Sequence, residues 1–367
     1  MIKYLGSKRR LVPVLAALAA SSGARNALDL FCGTTRVSQA FKGLGLEVTA
    51  VDSARCAHVL ARCYVATDPD VPGLRAELVA AVDRLNAVPG VPGYVTETFC
   101  SDARYFQPAN GARIDAVRDA IEADYAGSPL WPVLLTSLLE AADRVDSTTG
   151  LQMAYLKQWA RRAEGPLTLR VPDLLAGSGT AVRGDALSLV GTPALPDVDL
   201  AYLDPPYNQH RYDANYHVWE TLVAWDAPDH YGVACKRTEL RDPATRSAFN
   251  GRRTMPAALA EVVARVAAEV VVLSYNNESW LTYEELHELC AARGHVEVLA
   301  FDSARYVGAR IGIHDPAGRK VGKVSHLRNT EYVVLCGPRA RVRAMAAGVE
   351  AGGLGTRVDR PVPVPAA

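Results

Sequence analysis

The sequence predicts an α/β fold with a central, mostly parallel sheet and a helical insertion, and three observations carry that prediction. Short apolar runs alternate with helically spaced segments at the start of the chain. That rhythm breaks over residues 67–179, and strand-type runs resume after it. Strand, helix and strand in succession imply parallel pairing, because parallel neighbours need a crossover between them.

Taken in order, Ala27-Leu28-Asp29-Leu30-Phe31 is an apolar run that ends in the turn Cys32-Gly33. Thr34 to Leu44 places Val37, Ala40, Phe41 and Leu44 on one helical face. Val48 to Asp52 reads as the second strand, with Ser53 as N-cap of a helix running through Val65. Helical periodicity then covers Leu74–Val88, Asn110–Tyr125, Leu130–Val145 and Leu151–Ala163, separated by turns such as Pro89-Gly90-Val91-Pro92-Gly93. Strands resume at Ala181–Arg183, Asp199–Leu203, Val270–Ser274, Val296–Phe301 and Tyr332–Cys336. Beyond Gly337, Ala, Gly, Arg and Pro dominate, and a flexible tail over 338–367 is expected. Residues 1–66 with 180–337 thus form one expected domain, and 67–179 the insertion.

Composition narrows the class. The 367 residues are 49% hydrophobic and 22% charged, which excludes a disordered or collagen-like chain. No apolar run approaches the ~20 residues of a membrane span. The first ten residues carry no apolar h-region, so no secretory signal is expected. Seven scattered cysteines without a CxxC pair point to reduced thiols in a cytoplasmic protein, and to no metal site. The 40 basic residues balance 40 acidic ones, so net charge alone gives no hint of nucleic acid.

Two motifs carry chemistry. In Asp29-Leu30-Phe31-Cys32-Gly33-Thr34-Thr35 a glycine stands where the first strand hands over to a helix, the place at which open α/β sheets bind ligands. Asp52 closes the second strand 19 positions later, where an acid can accept both hydroxyls of an adenosine ribose. Thr35 occupies the place of a second glycine, which argues against a pyrophosphate cradle and a nicotinamide cofactor. Each also has a plainer reading, a strand-ending glycine and a helix-capping acid. The second motif, Asp204-Pro205-Pro206-Tyr207, follows an apolar strand directly. Two prolines cannot continue a ladder, so the chain must leave the sheet in a rigid extended turn. An anionic acceptor, a free carbonyl and an aromatic plate then lie together, a set that suits an exocyclic amino group on a planar ring.

With these residues in this order, the chain resembles the alpha-group N6-adenine DNA methyltransferases, from an N-terminal cofactor segment to the DPPY tetrapeptide. The resemblance implies a Rossmann-like methyltransferase fold using S-adenosylmethionine. Lys3-Tyr4-Leu5-Gly6-Ser7-Lys8 looks like the family's N-terminal segment, with Tyr4 on the cofactor and Lys8 near its methionine end or the target base. Asp29, Phe31 and Gly33 match the motif around the methionine moiety, and Asp52 the ribose-binding acid. Asp185 looks like the acceptor of the cofactor's adenine amino group, though Gly-Asp also suits a helix N-cap. Asp29 reads more naturally as structural than as a ligand contact. Asp204, Pro205, Pro206 and Tyr207 match the catalytic tetrapeptide.

The resemblance further implies methyl transfer to N6 of an adenine flipped out of double-stranded DNA, by positioning and electrostatics and with no metal. A cognate restriction endonuclease is the partner expected of a restriction–modification enzyme; an orphan enzyme has none. No membrane contact is expected, and the protein should be a monomer or weak dimer. Two basic stretches are candidates for phosphate contact: Lys236, Arg237, Arg252 and Arg253 in one, Arg319, Lys320 and Lys323 in the other, with Lys3 besides. Residues 66–150 hold 13 acids against 6 bases and make a poor phosphate clamp, although the family order places target recognition there. Asn215, Tyr216, His217 and Trp219 are lid candidates, His217 and Trp219 being equally natural as core. Leu273 to Glu278 is a further pocket candidate. Competing readings are an RNA adenine methyltransferase, a protein amide methyltransferase (where Asn usually replaces Asp204), an inactive DNA-binding module and, remotely, a dehydrogenase.

Overall fold

The computed structural model describes residues 2–4, 8–156, 158–206, 211–277, 279–304, 313–314, 320–322 and 328–358. The chain divides into two compact units. One comprises residues 1–7, 32–184 and 210–246; the other comprises 8–31, 185–209 and 247–367.

The second of these units is built on strands. Asn26–Asp29 pairs in parallel with Val198–Leu203, which pairs in parallel with Ala268–Asn276. Arg328–Gly337 then runs antiparallel between Ala268–Asn276 and His295–Ala304, and Thr356–Arg357 adds an antiparallel edge. The strands Asn26–Asp29, Val198–Leu203, Ala268–Asn276 and His295–Ala304 therefore share one direction, as the mostly parallel expectation has it. Their near-continuous apolar runs follow from burial on both faces: Val270 to Asn276 are all buried.

Where a flexible tail is expected after Gly337, residues Arg339–Ala351 form a helix. Val342, Met345, Ala346 and Val349 recur at helical spacing and are fully buried, with the helix packed on Val12–Ser22 and His295–Ala304. Burial of that stripe, not composition, decides the outcome.

The other unit is largely helical. Its parallel pair Glu47–Asp52 and Thr180–Arg183 is accompanied by helices Arg36–Gly43, Arg55–Ala61, Leu74–Ala87, Pro108–Tyr125, Trp131–Arg144 and His217–Ala224. Trp131–Arg144 is buried along nearly its whole length and centres the apolar core, with Phe99, Tyr105, Phe106, Ile114 and Trp219 around it. His217 and Trp219 belong to this core, so the plainer of their two readings holds.

Two local expectations fail here. Leu151–Ala163 is not a helix; only Arg161–Glu164 makes a 3₁₀ turn. Its backbone groups bond elsewhere, Gln152 N–H to Asn215 O at 2.8 Å and Leu156 N–H to Ser147 O at 2.9 Å. Ser53 does not cap the next helix either. Ala54 is the N-cap residue, and two acids serve the helix start instead: Asp52 Oδ1 accepts from Ala54 N–H, and Glu220 accepts from Arg55 and Cys56 N–H.

Candidate active site

In the strand-rich unit, Asp204 follows Leu203 at the carboxyl end of Val198–Leu203, and Pro205 and Pro206 take the chain out of the ladder. Its carboxylate Oδ1 stands 3.1 Å from Lys8 Nζ, a lysine that is itself buried. The same ammonium lies 3.4 Å from Glu331 Oε2, while Asn276 Nδ2 donates to Glu331 Oε1 at 3.0 Å. Below Asp204, Tyr202 donates its hydroxyl to Ser274 Oγ at 2.9 Å. Burial pushes the Asp204 carboxyl up to about 6; Lys8 opposes that rise and Glu331 adds to it.

The sequence singles out Lys8 and Asp204 separately, and the fold brings them together. Glu331 carries no mark in the sequence pattern. Its signal is the antiparallel register that sets it opposite Asn276, and only the folded ladder reveals that. Asp29 is buried in its strand, and Phe31 packs edge-on against Phe249 with centroids 5.2 Å apart. Asp185 is exposed and caps the short turn Ala186–Leu189, its Oδ2 accepting from Ser188 N–H and Oγ–H.

In the helical unit, the turn Cys32-Gly33-Thr34-Thr35 is tied to the end of the Glu47–Asp52 strand. Cys32 N–H donates to Val51 O, and Gly33 N–H to Asp52 Oδ2 at 2.9 Å. Gly33 adopts φ +48°, and a Cβ there would lie 3.3 Å from the Tyr4 ring. Tyr4 stacks on Tyr216 (centroids 4.6 Å apart) and Tyr212 (5.3 Å). Burial raises the Asp52 carboxyl, while the Ala54 and Gly33 N–H groups hold it down.

Asp52 Oδ2 accepts from Gly33 N–H and Oδ1 from Ala54 N–H, the Ser53 N–H also favours the ionised form, and a carboxylate has about four acceptor positions. An acceptor-only group at a strand's carboxyl end, beside a turn with no side chain at Gly33, fits a ribose diol and a close-lying ligand.

The candidate phosphate contacts scatter. Arg252 and Arg253 are exposed and Lys236 is half-buried. Arg237 is a correction: only 2% of its side chain is exposed, and its guanidinium grips Asp226 (2.6 Å) and Glu239 (2.9 Å), so it faces protein carboxylates and not a solvent-side phosphate. Lys3 Nζ sits 3.1 Å from both Asp143 and Asp146, and Arg162 also binds Asp146. Tyr207, Arg319 and Lys323 lie outside the described residues, and of Lys320 only the backbone is described, in the strand Lys320–Gly322.

The model of the D12 class N6 adenine-specific DNA methyltransferase family matches residues 4–285. The Type II methyltransferase M.NlaIII of Neisseria lactamica is 30% identical over 289 residues, covering 76% of this chain and 83% of that protein. M.FokI of Planomicrobium okeanokoites is 25% identical over 312 residues (80% of this chain, 47% of that protein). The modification methylase StsI of Streptococcus sanguinis is 26% identical over 303 residues (78% and 45%). The alignments thus span about half the length of the last two relatives. Among the described residues no helix is long and apolar enough to cross a membrane.

Proposed function

The chain belongs to the D12 class of N6 adenine-specific DNA methyltransferases, and from that premise we propose how its residues divide the work and what they bind. S-adenosylmethionine, the methyl donor of this reading, supplies an electrophilic methyl group on a sulfonium. Tyr4, Gly33 and Asp52 would hold it, Asp52 through the ribose hydroxyls, with Asp29 and Phe31 toward its methionine part. Asp185, whose carboxylate caps the short Ala186–Leu189 turn, is the acceptor proposed for its adenine amino group.

Asp204 accepts one N6–H of an adenine flipped from double-stranded DNA, and the Pro205 carbonyl accepts the other. The amino nitrogen is a poor nucleophile because its lone pair is delocalised into the ring. Two acceptors favour a pyramidal nitrogen whose lone pair is free to attack, so the contribution is positioning and electrostatics. Flipping costs a few kcal/mol, of which stacking on Tyr207 would return ~1–3 kcal/mol. The observation that supports this assignment is the Lys8–Asp204 pair at 3.1 Å, a buried ammonium against a half-buried acid: it holds a carboxylate acceptor in place at a strand end that two prolines make rigid.

Residues 67–179 are the proposed target-recognition region, and Arg252 and Arg253 the proposed phosphate contacts. The relatives' names, Type II methyltransferase and modification methylase, support a modification role, and a cognate restriction endonuclease is the partner proposed for it. The test is expression in a host lacking adenine methylation, followed by nucleoside mass spectrometry of its DNA. N6-Methyladenine should appear with the native chain and vanish with Asp204→Ala, while cofactor binding persists. Methylated RNA with unmodified DNA would overturn the substrate.

A further inference from the structure

Asp204 is not the only acid that Lys8 serves. Glu331 Oε2 lies 3.4 Å from the same ammonium, and Glu331 Oε1 is held by Asn276 Nδ2, so the carboxylate's orientation is fixed from its far side. The two residues are register partners across the antiparallel ladder, which puts Glu331 level with the carboxyl end of Ala268–Asn276. Its side chain is 14% exposed and that of Lys8 8%, so the pair sits where water screens little. Methyl transfer by Asp204 and Pro205 leaves Glu331 without a role.

We propose that Glu331 is a positioning residue for methyl transfer: it shares the Lys8 ammonium, so that the cluster around Asp204 keeps one net negative charge toward the amino group being methylated. The inference rests on the reading of Asp204 as the N6 acceptor. In the step concerned, N6 uses its lone pair to bond the methyl carbon, the carbon–sulfur pair stays on sulfur, and nitrogen sheds one proton to the Asp204 carboxylate. Positive charge therefore develops on N6 before that proton leaves. Lys8 alone would cancel the Asp204 charge and repel the developing cation. Two carboxylates against one ammonium leave the stabilising charge in place. Among the described residues, the charged groups acting on Asp204 are Lys8 and Glu331, with the buried Tyr202 phenol two residues before it and Asp29 acting electrostatically on that phenol.

The test is Glu331→Gln, which keeps the side chain's size and an acceptor for Asn276 but removes the charge. Single-turnover transfer of labelled methyl from S-adenosylmethionine to bacterial DNA lacking N6-methyladenine is measured across pH, together with binding of S-adenosylhomocysteine. Wild type must methylate first; if it does not, the parent reading has failed and not this one. Expected for Glu331→Gln is a loss in kcat of roughly tenfold or more with KM for DNA nearly unchanged. The acid limb of the profile should move down by about half a unit, because Asp204 then has the Lys8 cation to itself. Glu331→Asp, which keeps the charge but draws it back, should show the same changes in weaker form, and decides the matter if the Gln variant does not fold. An acid limb superimposable on wild type in either folded variant overturns the proposal, as does an equal loss of kcat in both.

Discussion

Lys8 Nζ lies 3.1 Å from Asp204 Oδ1, yet the carboxyl titrates near 6, because burial outweighs the cation's help. That balance makes Lys8 the residue that keeps Asp204 ionised at neutral pH. In Lys8→Met, burial and Glu331 act unopposed and the acid limb of the pH–rate profile should move up, about one unit or more. Activity near neutrality should fall roughly 10–100-fold. A full pH profile of kcat checks this, and an unmoved limb would show that Lys8 does not act through Asp204.

The same raised pKa predicts a trade between activity and stability. In the unfolded chain an Asp titrates near ~3.9, so between about pH 4 and pH 6 the folded protein binds more protons. Stability contributed by the protonated acid is thus lost as pH rises through the folded value. Asp204→Asn never carries that charge. It should therefore be inactive but more stable than wild type at about pH 8, by about 1–3 kcal/mol, with the gap closing near pH 4. Thermal denaturation at both pH values is the measurement, and an Asn variant less stable than wild type at the higher pH would refute it.

How legible the site is in the sequence depends on the range over which each residue is fixed. Asp204, Gly33 and Asp52 stand at strand ends, and a strand run followed by a turn is visible within ten or so residues. Glu331 is 323 positions from Lys8, and only the ladder register brings them together. Leu151–Ala163 has a helical pattern, but its backbone bonds to Asn215 and Ser147, a tertiary choice that local propensity does not encode. Arg237 reads as a free charge in the sequence because its partner Asp226 lies upstream of the basic stretch. By contrast, the stripe Val342, Met345, Ala346 and Val349 is readable in the sequence, and the flanking Gly and Pro mask it.

Two kinds of arginine in one basic stretch should behave oppositely. Arg237 is buried between Asp226 and Glu239, and its guanidinium is raised further by them, so Arg237→Ala removes their buried partner and leaves Glu239 with Arg55, at 3.6 Å. A cost of about 1–2 kcal/mol in denaturant unfolding is expected, from the lost hydrogen bonds and packing of the buried guanidinium, since both acids are partly solvated. Arg252 and Arg253 are exposed, and replacing both with Ala should leave stability within ~0.5 kcal/mol. It should instead lower DNA affinity and flatten its salt dependence by roughly one unit of slope for each phosphate that is no longer neutralised. An unchanged salt slope in the double variant would remove this pair from the DNA surface.

Thr35 departs from the glycine that the resembled motif has at its place, yet adopts a backbone conformation that favours glycine. It sits at φ +62°, fully buried, a region that costs a β-branched residue about 1–2 kcal/mol. Gln39 Nε2 donates to its Oγ1 at 2.9 Å, which offsets part of that cost. The comparison that isolates the backbone is Thr35→Gly against Thr35→Ala, since both lose the hydroxyl and they differ by one Cβ. At an ordinary helical position Ala would be the more stable by roughly 0.5–1 kcal/mol. At Thr35 the order should invert, Gly exceeding Ala by ~1 kcal/mol in urea unfolding. The turn's Gly33 N–H bond to Asp52 should survive in both variants, so binding of S-adenosylhomocysteine by the folded protein should be nearly the same in the two. If Ala proves the more stable, the strained turn at the head of the Arg36–Gly43 helix is not the conformation the protein holds in solution.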